Sequence, residues 1–297
     1  MNSLEKLQLF GTEIVADTGD ISLIKKIKPV DVTTNPSLIL KSLDNEEYKK
    51  LYDTKDLEEL LVNFGEMILQ YIDGYVSIEV NPNYSYDTNK TIEVARKIIK
   101  LFEERDINRN RILIKIATTW EGIMAAKILE KENIRCNMTL IFSEIQALAC
   151  AQNNVTLISP FVGRITDWYK SKGYIYEKPE HDMGVISVKN IFNRLKSLNS
   201  KTIVMGASFR NIDQIKELAG IDKLTISPNL INDLENNIDY NFNKLITDNN
   251  NLVIEENKEI TKEYFDLELQ NNLMFKENLE NGIKKFINDT ESIIKFL

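Results

Sequence analysis

The amino-acid sequence has very few of the side chains that most often hold metals or form covalent cross-links. It contains one histidine and two cysteines among 297 residues. Structural and catalytic zinc sites usually need three or four nitrogen or sulfur ligands, so a zinc site of that kind is not expected. The two cysteines, Cys136 and Cys150, are too few for a disulfide framework, which favours a reducing, cytoplasmic environment.

The scarcity of histidine also restricts the catalytic chemistry. A Ser-His-Asp triad would have to use His181, which lies in the polar segment 177–184. We interpret His181 as a solvated loop residue, because loops of this composition lie at the surface. If the chain is an enzyme, lysine and carboxylate side chains must carry the proton and carbonyl chemistry.

Long hydrophobic runs and an excess of positive charge are missing as well. No apolar run reaches the ~18 residues that a membrane helix needs, and the first residues lack the apolar core of a signal peptide. The formal net charge is −8, whereas nucleic-acid binding needs a basic face. We therefore expect a soluble cytoplasmic protein, with neither nucleic acid nor membrane as partner, that holds any anionic substrate by local cations.

Short β-rich runs alternate with segments of helical periodicity along the chain. The spacing of Ile92, Ala95, Ile99 and Phe102, for example, places one apolar stripe on a helix. Strands separated by helices predict βαβ units, and eight such units predict a closed (β/α)8 barrel, the TIM barrel. The eight runs are Thr12–Asp17, Asp31–Thr34, Tyr75–Val80, Arg111–Ala117, Cys136–Phe142, Thr156–Phe161, Thr202–Ala207 and Lys223–Ser227.

Additional segments flank this core. Residues 3–10 predict a short leading helix, and residues 248–251 predict an exposed polar loop. Asp87 and the capping-box spacing of Thr118 and Glu121 predict two helix starts. With no domain-sized linker or repeat, residues 1–297 are predicted to form one domain. A long final helix is predicted from the near-helical spacing of Leu279, Ile283, Phe286, Ile287, Thr290, Ile294 and Leu297.

A lysine occurs in the fourth run, where a barrel strand should be apolar. Ile112, Ile114 and Ile116 share one strand face, which suits packing against the outer helices, so Lys115 is expected to point into the barrel. Burying an ammonium without partners costs several kcal/mol. Because burial favours the uncharged form of an amine, such a lysine can supply the nucleophile that attacks a ketone to form an imine.

Neighbouring runs place further polar side chains toward the same interior. Strand alternation turns Glu79 of the third run, and Asn137 and Thr139 of the fifth, inward with the lysine. Asp17 and Asn35 stand at the ends of the first and second runs, where barrel active sites lie. This cluster favours catalysis.

Structural interpretations of the same residues remain open. The buried lysine and glutamate could be an ion pair with no catalytic role. The segment from Asp17 to Asp20 also has the composition of a turn, in which Asp20 caps the next helix. Asn35 likewise precedes Pro36, which is well suited to open a helix.

Two arginines follow the late strands. Arg164 comes after the sixth run and Arg210 after the seventh, each close to a glycine or serine. Guanidinium groups and helix N-termini hold phosphates, and barrels often bind phosphate after their late strands. A single arginine in such a position can equally be a surface ion pair.

Six segments of the sequence carry a family resemblance: residues 15–20, 33–39, 111–117, 136–140, 158–164 and 205–210. In this order they resemble segments of the transaldolases of the pentose phosphate pathway, in the class I aldolase superfamily. The resemblance extends nearly from end to end. It implies a (β/α)8 barrel with a Schiff-base lysine on the fourth strand, no metal or organic cofactor, and a homodimer.

The resemblance also implies roles for individual residues. Lys115 would form the Schiff base, Glu79 with Thr139 would position the water, and Asp17 would accept the proton of the C4 hydroxyl. The implied activity transfers a dihydroxyacetone unit from sedoheptulose 7-phosphate or fructose 6-phosphate to glyceraldehyde 3-phosphate or erythrose 4-phosphate. The substrate-binding residues would be Asn35, Asn137 and Ser159 for the dihydroxyacetone unit, Arg164, Ser208 and Arg210 for the phosphate, and Phe161 for the shape of the pocket.

The sequence departs from the family pattern in two places. After Val80 the family usually continues with Asp and later Arg-Leu-Ser, whereas this chain has Asn81 to Ser85 as Asn-Pro-Asn-Tyr-Ser. Because this loop follows Glu79 closely, it is expected to alter rates or geometry there. The region 53–56 is shorter than in many members, which should affect only the outside of the barrel.

Two other functions compete with transfer. An aldolase would use the same lysine but release dihydroxyacetone to water. A phosphosugar sensor would bind the substrate without forming an imine. The presence of every residue carried over from the family argues against the sensor.

Overall fold

The computed structural model describes residues 1–238, 241–245 and 259–297. The loop predicted at residues 248–251 lies outside this part of the chain. Within the described ranges, no helix is long and apolar enough to cross a membrane.

Eight parallel strands form a closed barrel in the order β1 to β8. The predicted fold is thereby confirmed, and each predicted run exceeds its strand by at most one residue at either end. The strands are β1 (Glu13–Asp17), β2 (Asp31–Thr33), β3 (Val76–Glu79), β4 (Ile112–Ala117), β5 (Cys136–Ile141), β6 (Leu157–Pro160), β7 (Ile203–Gly206) and β8 (Lys223–Ile226).

Helices occupy the connections between the strands, and further helices precede β1 and follow β8. The predicted leading and final helices correspond to α1 and α13. The helices are α1 (Ser3–Leu9), α2 (Ile21–Ile27), α3 (Pro36–Ser42), α4 (Leu57–Leu69), α5 (Thr88–Glu103), α6 (Trp120–Lys131), α7 (Glu144–Gln152), α8 (Gly163–Ser171), α9 (Met183–Ser197), α10 (Ile212–Lys216), α11 (Pro228–Asn236), α12 (Lys262–Asn271) and α13 (Leu273–Ile294). Short 3-10 turns lie at Glu46–Tyr52, Pro82–Tyr84, Arg109–Arg111 and Pro179–His181.

Two compact units contain the residues of interest. The lysine unit consists of Val15–Met138 and Asn281–Leu297, and the arginine unit of Met1–Ile14 and Thr139–Glu280. In the lysine unit, parallel pairing places Glu79 directly beside Lys115. In the arginine unit, β6 pairs with β7 and β7 with β8. That residues 1–297 form one domain stays a prediction.

The amphipathic pattern of α5 shows how sequence periodicity sets the packing. Its predicted apolar stripe, including Ile92, Ile99 and Phe102, is buried. Asp87 caps the helix as predicted, because its carboxylate accepts a hydrogen bond from the Lys90 N–H at 2.9 Å.

The predicted start of α6 is wrong by one residue. Strand β4 continues to Ala117, and Thr119, not Thr118, is the N-cap. The Thr119 hydroxyl accepts a hydrogen bond from the Gly122 N–H at 2.9 Å. Thr118 precedes the cap and is buried, as Thr119 is.

The predicted apolar stripe of α13 also needs two corrections, of which the first is that the helix ends at Ile294, before Leu297. Leu279, Ile283, Phe286 and Thr290 are buried as expected, but Ile294 is 45% exposed. Ile293 is 1% exposed and takes its place. Alternating steps of four and three residues keep a position on one helix face, and the step after Thr290 is therefore three.

Candidate active site

Lys115 lies in the middle of β4 and is 4% exposed. Its Nζ atom lies 3.3 Å from Glu79 Oε2 and donates a hydrogen bond to the Thr34 carbonyl oxygen at 3.0 Å. Lys115 and Glu79 thus point the same way, as strand alternation predicts. A carboxylate and a carbonyl together satisfy an ammonium that would otherwise be costly to bury.

A second buried lysine, Lys223, shows how the Lys115–Glu79 pair differs from another ion pair of this protein. Lys223 is the first residue of β8, and its Nζ lies 2.6 Å from Glu13 Oε2. The Glu13 side chain is 52% exposed, whereas that of Glu79 is 4% exposed. Of these two pairs, the Lys115 pair is the one in which both charges are removed from water, which strengthens their electrostatic coupling.

Asp17 is the last residue of β1 and is partly buried. Its Oδ1 accepts a hydrogen bond from the Thr33 hydroxyl of β2 at 2.8 Å. Asp20 supplies the cap of α2, so the predicted turn is confirmed. Asp17 itself is not needed for that cap. Thr33 was not predicted as a site residue, since nothing in its local sequence marks it as a partner of Asp17.

Asp20 is held by a set of donors around its carboxylate. It accepts hydrogen bonds from the Ser22 N–H at 2.9 Å, the Ser22 hydroxyl at 2.6 Å and the Tyr48 hydroxyl at 2.9 Å. Burial raises the pKa of Asp20, but these hydrogen bonds outweigh it and leave the pKa below its ordinary value. In Tyr48, burial and the bond to Asp20 raise the pKa of the phenol. The loop that follows Asp17 is therefore anchored by charge-assisted bonds.

Asn35 is the N-cap of α3, and Pro36 is the first residue of the helix. Its Oδ1 accepts a hydrogen bond from the Leu38 N–H at 3.0 Å, which confirms the predicted turn. The cap uses the oxygen of the amide, so the Nδ2 group is the part of this side chain suited to donate to a ligand.

A small cavity adjoins Glu79 in the lysine unit. It measures about 10 Å³, roughly the space that the centre of one water molecule needs. Asn35, Glu79, Asn81 and Thr290 supply polar groups to its wall. The Thr290 hydroxyl is buried and has no hydrogen-bond partner within the described residues. Helix α13 was predicted from its period, but nothing in the sequence indicated that it lines this cavity.

Asn137 of β5 is buried and donates from Nδ2 to the Ser77 hydroxyl at 3.1 Å. Ser77 precedes Glu79 by two residues on the same face of β3, so strand alternation marks it as inward-facing. The pair joins two polar side chains of the lysine unit that would each be costly to bury alone.

Thr139 is buried on β5, and the residue after it has an unusual backbone. Leu140 has φ 59°, in the left-handed region that branched or bulky L-residues seldom occupy. Gln146 holds this turn, because its Nε2 donates to the Leu140 carbonyl at 3.0 Å and its Oε1 accepts from the Phe142 N–H at 2.8 Å. Gln146 was not predicted; its position three residues after Ser143, a capping-box spacing, was the available signal.

The loop that departs from the family pattern forms a 3-10 turn over Pro82–Tyr84. Asn81 Oδ1 accepts a hydrogen bond from the Asn83 N–H at 3.0 Å. The Thr119 hydroxyl donates to the Ser85 carbonyl oxygen. The loop is therefore tied to the residues that follow β4, and the register of Glu79 with Lys115 is kept.

In the arginine unit, Ser159 of β6 and Phe161 are buried. The Phe161 ring packs against Phe142, with ring centroids 5.5 Å apart and an interplanar angle of 70°. The Arg164 guanidinium lies over the Phe161 ring at 5.1 Å from its centroid. Helix α8 begins beside it with Val162 at the N-cap position, which offers no side-chain acceptor. The positive end of this helix thus lies next to a cation.

The backbone after β7 passes very close to the start of α8. The Gly163 N–H donates to the Ser208 carbonyl oxygen at 2.5 Å. A Cβ on residue 163 would lie 2.5 Å from that oxygen and 2.9 Å from Arg210 Cγ, so the approach requires glycine. Ser208 has φ 61°, again in the left-handed region.

Arg210 is exposed and forms an ion pair with Asp167. Its Nε and Nη2 donate to Asp167 Oδ2 at 2.9 and 2.7 Å. The predicted alternative of a surface ion pair is therefore confirmed for this arginine. Such pairs contribute only about 0–1 kcal/mol. The third nitrogen, Nη1, lies 3.5 Å from Ser208 Oγ.

His181 is exposed at the end of a 3-10 turn, as expected of a solvated loop residue. In the described parts of the chain, no three His, Cys, Asp or Glu side chains are grouped so that they could hold a metal ion.

Comparison with known proteins identifies the family. Residues 14–297 match the family Transaldolase/Fructose-6-phosphate aldolase. The chain is 48% identical to the transaldolase of Schizosaccharomyces pombe over 312 residues, which covers 99% of this chain and 97% of the yeast protein. It is 48% identical to the transaldolase of Saccharomyces cerevisiae (100% of this chain, 94% of that protein). It is 47% identical to the transaldolase of Histophilus somni strain 129Pt (96% and 95%). With the barrel and its buried lysine, these matches show that the chain belongs to the transaldolase/fructose-6-phosphate aldolase family and is an enzyme of the transaldolase type.

Proposed function

We propose that this chain carries out its transaldolase reaction through a Schiff base between Lys115 and a ketose phosphate. The observation that supports this most strongly is a buried lysine on β4 whose Nζ lies 3.3 Å from an equally buried carboxylate. A neutral amine is the nucleophile that attacks a ketone. Glu79 is close enough to take the proton that the ammonium must lose first.

Imine formation needs a group that handles water and protons. Lys115 attacks C2 of fructose 6-phosphate or sedoheptulose 7-phosphate, and the resulting carbinolamine loses water to give a protonated imine. Glu79, with Thr139, protonates the departing hydroxyl and later holds the water that hydrolyses the product imine. The small cavity beside Glu79 is consistent with this role, because Asn35, Asn81 and Thr290 also contribute to its wall and it has room for about one water.

Cleavage follows from the charge on the imine. Asp17 accepts the proton of the C4 hydroxyl, the C3–C4 bond breaks, and the electron pair moves into the iminium to give an enamine. The aldose phosphate leaves with its new aldehyde. The hydroxyl of Thr33, which donates to Asp17 at 2.8 Å, fixes the carboxylate that takes this proton.

The other site residues bind the two ends of the sugar phosphate. Asn35, Asn137 and Ser159 hydrogen-bond the retained dihydroxyacetone unit. Arg164, Arg210 and Ser208 bind the phosphate, and Phe161 shapes the pocket. The weak pair of Arg210 with Asp167 leaves Nη1 directed toward Ser208, so an anion can bind without breaking the pair.

The enamine is then transferred to an acceptor. It adds to the aldehyde of erythrose 4-phosphate or glyceraldehyde 3-phosphate, and hydrolysis of the new imine releases sedoheptulose 7-phosphate or fructose 6-phosphate. An aldolase would instead protonate the enamine at C3 and release dihydroxyacetone when water hydrolyses the resulting imine. Product analysis with and without erythrose 4-phosphate separates the two: a transferase forms products mainly when the acceptor is present.

Borohydride trapping tests the Schiff base. The protein is incubated with fructose 6-phosphate, reduced and mapped by peptide mass, and we expect a three-carbon adduct on Lys115. Lys115→Ala should abolish both the adduct and turnover. Lys223→Met is the matched control, since it removes another buried, ion-paired lysine, and its adduct should form normally. Normal turnover by Lys115→Ala would refute the mechanism.

The chain is further proposed to act as a homodimer, as a single domain and in the cytoplasm. These proposals are supported by the resemblance to transaldolases and by the composition. Light scattering on the purified full chain measures the mass directly, and a monomer at micromolar concentration would refute the dimer.

A further inference from the structure

Three buried polar side chains in the arginine unit form a network that the proposed reaction does not use. The Thr166 hydroxyl of α8 donates to Asp182 Oδ1 at 2.6 Å. Gln214 of α10 donates from Nε2 to Asp182 Oδ2 at 2.8 Å and lies 3.0 Å from Thr166 Oγ1. The Gly184 N–H also donates to Asp182, at 2.8 Å. Asp182, Gln214 and Thr166 are all buried.

The network ends on the backbone of Arg210. The Arg210 N–H donates to Gln214 Oε1 at 2.8 Å. Because Nε2 of Gln214 is committed to Asp182, the orientation of the amide is fixed and its oxygen must face Arg210. Thr166 Oγ1 also lies 3.1 Å from the Val162 carbonyl oxygen, so the same network touches the start of α8 just before Arg164.

Close backbone packing joins the same segments. The Gly163 N–H meets the Ser208 carbonyl oxygen, and a Cβ on residue 184 would lie 2.2 Å from the Val162 carbonyl oxygen. Gly184 thus allows the start of α9 to approach the start of α8. The segments that carry Arg164, Ser208 and Arg210 are therefore held together by one set of contacts.

Asp182 also has a structural role, because it is the N-cap of α9 and accepts the Gly184 N–H. That cap uses Oδ1, so it does not account for the bond from Gln214 to Oδ2. A network whose members are all satisfied fixes one geometry. The network described here fixes the geometry of the segments that carry Arg164, Ser208 and Arg210, the residues assigned to phosphate binding.

We propose that Asp182, acting through Thr166 and Gln214, is a positioning residue that orients the phosphate-binding segments of this enzyme. This proposal rests on the proposed phosphate role of Arg164, Ser208 and Arg210. Its consequence is selective. Loss of the network should weaken recognition of the phosphate group and leave imine formation on Lys115 intact.

The test compares a phosphorylated donor with an unphosphorylated one. For Asp182→Asn, the new amide NH2 would face the Gln214 donor, so the bond to Arg210 is disturbed. We expect KM for fructose 6-phosphate to rise about five- to tenfold, which corresponds to about 1.0–1.4 kcal/mol. We expect kcat/KM for fructose, which has no phosphate, to change less than about twofold relative to the parent enzyme. Inorganic phosphate should inhibit the variant more weakly than it inhibits the parent. An equal loss with both donors, or no change with either, would overturn the proposal.

Two further variants control for folding. Asp31→Asn alters another buried carboxylate that accepts a backbone N–H, from Tyr75 at 2.7 Å, and it should leave the ratio of the two donors unchanged. If Asp182→Asn does not fold, Thr166→Val and Thr166→Ser decide. Valine removes the hydroxyl and should lower the preference for the phosphorylated donor, whereas serine keeps the hydroxyl and should restore it. Equal preference in the two variants would overturn the proposal.

Arg210→Met separates failure of this proposal from failure of the proposed site. If Arg210→Met lowers the preference for the phosphorylated donor and Asp182→Asn does not, the network has no positioning role. If Arg210→Met leaves that preference unchanged, the phosphate role of Arg210 is wrong, and the proposal falls with it. Adduct formation on Lys115 reports independently on the Schiff base in every variant.

Discussion

Replacing Lys115 by methionine tests whether the buried lysine and glutamate form an ion pair in the resting protein. The two charges are 3.3 Å apart, so their direct attraction is about 5 kcal/mol at an effective dielectric constant of about 20. Much of this attraction offsets the cost of removing both charges from water. The variant, however, loses the attraction and keeps the buried carboxylate.

Lys115→Met should therefore lower the free energy of unfolding by about 3–5 kcal/mol, the usual effect of removing one partner from a buried pair. The double variant Lys115→Met/Glu79→Gln removes both charges and keeps similar volumes. It should regain most of the loss and lie within about 1 kcal/mol of the parent, because uncharged replacements of buried pairs are often neutral. Glu79→Gln alone should also be destabilising, because it leaves the buried ammonium without its carboxylate partner.

Urea unfolding monitored by circular dichroism measures these differences at pH 7. Parent, single and double variants should unfold with similar slopes, so that shifts of the midpoint report stability. If Lys115→Met is as stable as the parent to within about 1 kcal/mol, the resting protein does not contain a buried ion pair. A lysine without an ion-pair partner could still form the imine.

Three further predictions concern residues outside this pair. Ser208→Gly and Ser208→Ala both remove the hydroxyl and should raise KM for fructose 6-phosphate to a similar extent, although with φ 61° at this position only alanine keeps the steric cost of about 1–2 kcal/mol; an unchanged KM in both variants would contradict a role for the hydroxyl. Tyr48→Phe should cost about 1.5–3 kcal/mol at neutral pH, because it removes a hydrogen bond to a charged carboxylate. Since the folded pKa of Asp20 is lowered from 3.8, this stabilisation is present above about pH 4 and is lost as the pH falls through the folded pKa, so a difference that grows in acid would refute the assignment. Cys136 and Cys150 are buried, and burial raises the pKa of Cys150, so a thiol reagent at pH 8 should react only as the protein unfolds; rapid labelling of the native protein would contradict this burial.

The fold could be predicted because strand and helix periods differ. A period of two over short runs and a period of 3.6 between them were enough to place the strands to within one residue. The errors occurred where two neighbouring residues satisfy the same local rule. Thr118 and Thr119 can each cap a helix, and Ile293 and Ile294 are equally apolar. Tertiary packing decides which residue of each pair takes the role, and the periodicity of a single sequence carries no information about that packing.

The inward direction of Lys115 was predictable for a related reason. The isoleucine positions leave one strand face for the lysine, and the pairing of β3 with β4 brings Glu79 beside it. The contact of Arg210 with Asp167 joins residues 43 positions apart in the sequence, and that of Gln214 with Thr166 spans 48. Such contacts depend on how the helices pack around the strands, so no local sequence pattern predicts them.

The structural contacts of Asn35 and Arg210 use only some of the polar atoms of each side chain. Asn35 caps α3 through Oδ1, which leaves the donor side of the amide for a ligand. Arg210 pairs with Asp167 through Nε and Nη2, while Nη1 is directed toward Ser208. Sequence reasoning treats the structural and functional interpretations as exclusive alternatives, because it assigns one role to each residue. A cap or a weak ion pair restricts the rotamers of a side chain before substrate arrives, so less conformational entropy is lost on binding. A structural role for Asn35 or Arg210 is therefore a reason to expect the functional one.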